Sequence, residues 1–207
     1  MVHWLRALST LKHSRRYFFI FDPVHDLKNV YNNFQSQKEF WCPQFGRDLP
    51  NGCQADFNHI ADLYQHEAST ALKQAHKLTL SVLNPTSIEK TSVKLVPVVF
   101  AEWTRDSLRF YSVHIDNPEW NGTANFITVV LKLWNVMNIK SATKCKHKRN
   151  CTMDPVRSMH DWKLSFLQEF ADFLQTWREL VDTHTLSTGR SRVLVCCWFS
   201  LPAIVSH

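Results

Sequence analysis

The chain has 207 residues, of which only 4 are glycine, roughly 2% against the usual ≈ 7%. That scarcity excludes collagen-like and glycine-rich flexible architectures, and no glycines are spaced for the G-x-G-x-x-G dinucleotide fingerprint. With 44% hydrophobic residues, 14 Phe and 8 Trp, the chain buries a sizeable core and is globular and helix-rich. Its formal net charge is +6, and the excess is concentrated. Lys140, Lys144, Lys146, Lys148, Arg149 and Arg157 face Asp154 alone between 140 and 157, leaving 18 basic against 17 acidic residues elsewhere. A basic segment in a neutral body suggests a phosphate site, on a nucleotide or a nucleic acid, against the plainer reading of a solvated loop.

Elements follow in chain order. Tyr17 to Phe21 is a run of five large apolar or aromatic residues, which predicts a strand buried on both faces. Asp22-Pro23 reads as a helix N-cap followed by proline at the first helical position. Leu27, Val30, Tyr31 and Phe34 then follow the amphipathic helical spacing. Asp22 therefore stands where a buried strand ends and a helix begins.

From Gln35 to Asn51 the pattern predicts a loop, marked by Pro43, Gly46 and Pro50. Asp56 is expected to cap a long helix with Phe57, Ile60, Leu63, Tyr64, Ala71, Leu72, Ala75 and Leu78 on its apolar side, broken at Asn84-Pro85. A second helical stretch, Ile88 to Phe100, is interrupted by Pro97. Turns at Asn117-Pro118 and Asn121-Gly122 precede a helix capped by Thr123 that runs to about Met137. After the basic segment, Ser158-x-x-Asp161 resembles a capping box for a last helix carrying Phe166, Phe170, Phe173, Leu174 and Trp177. One strand cannot form a sheet alone, so its partners are expected outside this chain, and the short apolar element at Leu201–Val205 likewise reads as part of something longer.

Several chemistries find no support. The six cysteines lack zinc-site spacing and are expected as reduced thiols of an intracellular protein. No phosphate-binding G-x-x-x-x-G-K-[ST] loop occurs, and the longest apolar run, Val193 to Val205, is too short to span a bilayer. A nucleotide would have to be held by Lys and Arg side chains and helix N-termini, with Lys146, Lys148 and Arg149 as the candidate phosphate contacts. A carboxylate at a strand end, as Asp22 is placed, is the position from which two-metal phosphoryl transfer recruits its ions. The plainer reading of Asp22 is a helix cap and nothing more.

Taken together, the residues carry a recognisable pattern. Phe21 to Asn33 resembles the D-P-x-H-L-x-K-x-x-R-N-N segment of P-element-type transposases, the family that includes THAP-domain transposases. Leu83-Asn84-Pro85 with Val93-Lys94-Leu95 and Val99-Phe100 is similar to that family's N-P-x-x-x-x-K-x-x-V-K-L-A-x-x-V-F stretch. Thr123 to Phe126, Trp134 to Ser141, Asp154-Pro155, Phe170 to Leu174 and Leu201 to Val205 match further family segments in the same order. Departures stand at Asp26, Tyr31 and Pro97, where Leu, Arg and a helix-compatible residue are usual.

The resemblance implies a mainly α chain: a partial ribonuclease-H-like α/β piece over residues 1–54, then an all-helical GTP-binding insertion over 55–207. It implies GTP and Mg²⁺ as cofactors, transposon-end DNA as partner, a possible homo-oligomer, no membrane association and a nuclear location. Asp22 becomes the second acid of a metal-binding catalytic triad. The family's first acid lies upstream, and its last lies in a D-P-L-E-x-R-F-G motif absent here, so the chain alone is expected to lack strand-transfer activity. The competing reading is a transposon-derived helical module that binds protein or nucleic acid without catalysis.

Overall fold

The computed structural model describes residues 22–138, 143 and 151–188, with side chains placed as far as 181. The strand expected at 17–21, the basic residues 140 and 144–149 and the element at 201–205 lie outside the described residues. The fold is mainly α, as expected, and the described residues hold one small sheet of two strands.

Helix α1 spans Pro23–Gln37 and starts as its sequence dictates. The Asp22 carboxylate accepts the Val24 amide at 3.0 Å and Pro23 opens the first turn, so one of the orphan donors is satisfied and none is missed at the proline. Leu27, Val30, Tyr31 and Phe34 are buried on one side. The helix stops at Lys38, whose backbone turns left-handed (φ 70°) while its N–H donates to the Phe34 carbonyl.

The region expected as a loop contains a hairpin. Strand β1 (Glu39–Cys42) pairs antiparallel with β2 (Cys53–Asp56), with Phe40 opposite Ala55 and Cys42 opposite Cys53. The strands are four residues long, and the ten residues between them carry all the proline and glycine signals. Phe45 and Leu49 exchange backbone hydrogen bonds at 2.8 and 2.9 Å, so the connection is itself folded. Gly52 (φ +69°) is required there, because a Cβ would meet the Cys42 carbonyl oxygen at 2.5 Å.

Helix α2 (Asn58–Ala68) ends ten residues before the expected Leu78. Glu67 is the reason: its carboxylate, 2% exposed, accepts the backbone N–H groups of Gln74 and Ala75 and draws the chain into a turn. Leu72, counted on the expected apolar face, is 83% exposed. One turn of helix follows (α3, Leu80–Leu83). The expected stretch from 88 to 100 resolves into a 3₁₀ turn, Glu89–Thr91, and a single turn α4, Val96–Val99, with Pro97 in its first turn. Pro97 thus starts a helix instead of interrupting one.

Helix α5 (Glu102–His114) was not expected. Helix α6 (Trp120–Met137) begins three residues before Thr123, which caps nothing. Instead the Thr123 hydroxyl accepts the Asp56 amide at 2.9 Å and donates to the Asp56 carbonyl at 3.2 Å, joining α6 to β2. Gly122 makes that approach possible, since a Cβ would collide with the Gln54 carbonyl oxygen. A 3₁₀ turn at Cys151–Met153 precedes α7 (Trp162–Thr188), which is capped by Asp161, whose carboxylate accepts the Lys163 amide at 3.0 Å.

Aromatic rings form the core. Phe34 sits 5.1 Å from Phe40, 5.4 Å from Phe57 and 5.1 Å from Phe126, centroid to centroid, so α1, β1, the start of α2 and α6 meet at one ring. Phe40 also contacts Trp177 of α7 at 6.0 Å. From the hairpin connection, Phe45 packs among Phe166, Phe170 and Phe173. Each such buried ring contributes about 1.5–3 kcal/mol by leaving water. Residues before and after position 54 therefore share a single core.

Candidate functional site

The N-terminal end of α1 holds the sequence-predicted acid. Asp22 is exposed: Oδ1 caps Val24, and Oδ2 lies 3.5 Å from His25 Nδ1. Asp26 lies one turn on, and burial, with the Asp22 charge adding to it, raises its carboxyl above the usual range while His25 partly offsets the shift. Its Oδ2 is buried with no hydrogen-bond partner among the described residues. No group of three His, Cys, Asp or Glu side chains among the described residues is placed to hold a metal ion. One capping carboxylate does not fit a two-metal centre by itself, so no catalytic step is assigned to it.

The basic segment is defined by its two footings. It leaves from the C-terminal end of α6 at Met137 and Asn138. It returns in the 3₁₀ turn at Cys151–Met153, which packs back on α6 with Met153 buried. Lys146, Lys148 and Arg149 lie between these anchors, outside the described residues. Arg157, beyond the second footing, is bonded to Asp154 at 3.1 Å.

Two lysines near these footings escaped sequence reasoning. Lys132, on α6, pairs with Asp48 of the hairpin connection at 2.6 Å and lies 4.8 Å over the Phe166 ring. Lys163, on α7, is nearly buried, pairs with Asp161 at 2.8 Å and lies 5.3 Å over the Trp162 ring. Hydrogen bonds from the Lys163 side chain and then its backbone hold the Asp161 carboxyl below the usual range. The available signal was a lysine within an apolar helical run, because such a lysine is buried only with a partner. Both are neutralised by carboxylates. The 140–149 segment holds five basic residues and no acidic one. Among the described residues no helix is long and apolar enough to cross a membrane.

Comparison with known proteins bears on this arrangement directly. A family model described as "TNP-like, GTP-binding insertion domain" matches residues 24–150, more than half of the chain and all of its basic run up to Arg149. The solved structure of the Drosophila P element transposase strand transfer complex matches with a TM-score of 0.62 at 22% identity. That alignment covers 77% of this chain and 34% of the other, so the chain spans about a third of that protein's length and the likeness is one of fold. No curated protein matches the sequence. The resemblance read from the motifs is borne out, and the chain belongs to the TNP-like, GTP-binding insertion domain family.

Proposed function

We propose that this chain is the GTP-binding insertion module of a P-element-type transposase and that it binds GTP through the segment following α6. The observation that carries the reading is the family match, which runs through 24–150 and so includes the whole cluster of basic residues between α6 and the 3₁₀ turn. In this reading Lys146, Lys148 and Arg149 contact the phosphates, and the bulk of the nucleotide-binding part is 55–207. Residues 1–54 contribute the partial ribonuclease-H-like piece, of which α1 and β1 pack into the same core. Asp22 is one ligand for Mg²⁺, with further carboxylates coming from outside the described residues. The working assembly acts on transposon-end DNA in the nucleus, as a homo-oligomer. No chemistry is assigned to the chain by itself.

A thermal-shift titration of the full chain with GTP and Mg²⁺, with ATP as control, tests the reading. A ligand that binds only the folded state stabilises it by about 2.7 kcal/mol at a hundred times its Kd, so the melting temperature climbs with GTP and not with ATP. The triple variant Lys146→Ala, Lys148→Ala, Arg149→Ala is expected to melt as the parent does without ligand and to lose most of the GTP shift. A cooperative transition that GTP does not move overturns nucleotide binding and favours the module that binds protein or nucleic acid without catalysis.

A further inference from the structure

Cys42 closes β1 and Cys53 opens β2, and the antiparallel register sets them directly opposite each other. Both share the core-facing side of the hairpin with Phe40 and Ala55. The Phe57 amide donates to the Lys38 carbonyl, and hydrogen-bonded pairs recur at every second position, so Cys42 and Cys53 form such a pair. Residues paired this way have Cα atoms about 5.5 Å apart, within the ~4.4–6.8 Å range of disulfides. Both cysteines are free thiols. Their access differs. Cys42 is 6% exposed, and burial first, then the neighbouring Cys53, pushes its thiol well up. Cys53 is half-buried, so it is the sulfur that a reagent in solution meets first.

We propose that Cys42 and Cys53 are a dithiol pair that a low-molecular-weight disulfide such as oxidised glutathione closes reversibly, and that the link locks the 43–52 connection. The Cys53 thiolate attacks the reagent's disulfide, forming a mixed disulfide and releasing one thiolate. The Cys42 sulfur then attacks Cys53 Sγ and expels the second. The two cysteine protons end on the two released thiols, so the dithiol is oxidised by two electrons and the reagent reduced by two. The connection so closed carries Phe45, seated among the α7 rings, and Asp48, paired with Lys132 of α6. Oxidation therefore stiffens the joint through which the hairpin holds α6 and α7. The proposal is independent of the nucleotide reading.

The test equilibrates the full chain in mixtures of oxidised and reduced glutathione, traps remaining thiols by alkylation and maps the products by mass spectrometry. Trypsin cleaves after Arg47, between the two cysteines, so a link joins two peptides whose combined mass is lower by two hydrogens. The expected result is that linked pair, reversed by dithiothreitol, with amide exchange in 43–52 slowed at least several-fold. Cys42→Ser is expected to accumulate the glutathione adduct at Cys53 at least tenfold over the parent. Three results overturn the proposal: a stable adduct at Cys53 of the parent chain, pairing of either cysteine with Cys145, Cys151, Cys196 or Cys197, or both thiols fully alkylated at every glutathione ratio. The parent chain decides the matter even where a variant fails to fold.

Discussion

Tyr31→Phe removes one oxygen atom from the middle of α1 and leaves the ring in place. The Tyr31 hydroxyl donates to the Val82 carbonyl at 2.7 Å, both groups are buried, and the bond ties α1 to α3 across 51 residues. Without the hydroxyl, the Val82 carbonyl is left buried and unpaired, which costs about 1–3 kcal/mol. A second signature separates this bond from simple packing. Burial, with a contribution from the Glu89 charge, pushes the Tyr31 phenol up to about 12 from its ordinary 10.0. A pKa raised in the folded state gives stability that is complete below the unfolded value and is lost as pH rises through the folded one. At pH 11 the parent has therefore forfeited about 1 kcal/mol that the variant never possessed. Urea denaturation of both proteins at pH 8 and pH 11 reads this as a gap that is wide at pH 8 and narrower at pH 11. Equal stabilities at pH 8, or a gap that widens with pH, refute the assignment of the hydroxyl as a neutral buried donor.

Four other substitutions probe single positions. Gly122→Ala drives a methyl group into the Gln54 carbonyl and is expected to cost at least about 1–3 kcal/mol, whereas Gly46→Ala, with open space but φ +46°, costs roughly 1–2 kcal/mol of backbone strain; paired urea titrations compare them. Thr123→Val strips both hydrogen bonds from Asp56 and is expected to lower stability by about 1–3 kcal/mol by the same measurement. Asp26→Asn acts oppositely. Because the Asp26 carboxyl is raised in the folded state, its stabilising effect is whole below about pH 3.8 and fades as pH rises through the folded value. The variant should thus be more stable than the parent at pH 7 and equal to it at pH 3, by a margin that solvent screening keeps small; melting curves at the two values check it.

Where sequence reasoning succeeded, the determinants were local. The start of α1 is written in Asp22-Pro23, and its buried face in Leu27, Val30, Tyr31 and Phe34, all within two to four residues of the backbone they specify. Helix α5 was illegible for a physical reason: its inward face is Thr104, Ser107, Leu108, Tyr111 and Ser112, mostly small polar residues that let α6 approach. Hydrophobic periodicity cannot register a face of that kind. The hairpin was obscured because the turn signals of its connection outweigh two strands of four residues. The end of α2 depends on a carboxylate reaching seven and eight residues ahead, and Thr123 looked like a cap because its partner, Asp56, lies 67 residues away. The candidate site was legible as charge, in the run from Lys140 to Arg149, and as motif, in Asp22. One footing was legible as well, since the helix was expected to end near Met137, but the 3₁₀ turn at Cys151–Met153 that packs back on α6 was not, nor was the pairing of Lys132 with Asp48 across 84 residues.

Helix α6 ties these observations together. It packs most extensively on α5 and β2, receives the 3₁₀ turn at Cys151–Met153 and lends Phe126 to the ring cluster. The segment proposed to hold GTP leaves from one end of this helix, and the hairpin clamps the other through Gly122 and Thr123. A ligand on the segment stabilises only states in which both footings are formed, and those states include the docked hairpin. Saturating GTP is accordingly expected to slow amide exchange at β1 and β2 about as much as it slows exchange along α6. Protection confined to the last turn of α6 would mean that the hairpin opens independently of the nucleotide, and that the two ends of the helix belong to separate cooperative units.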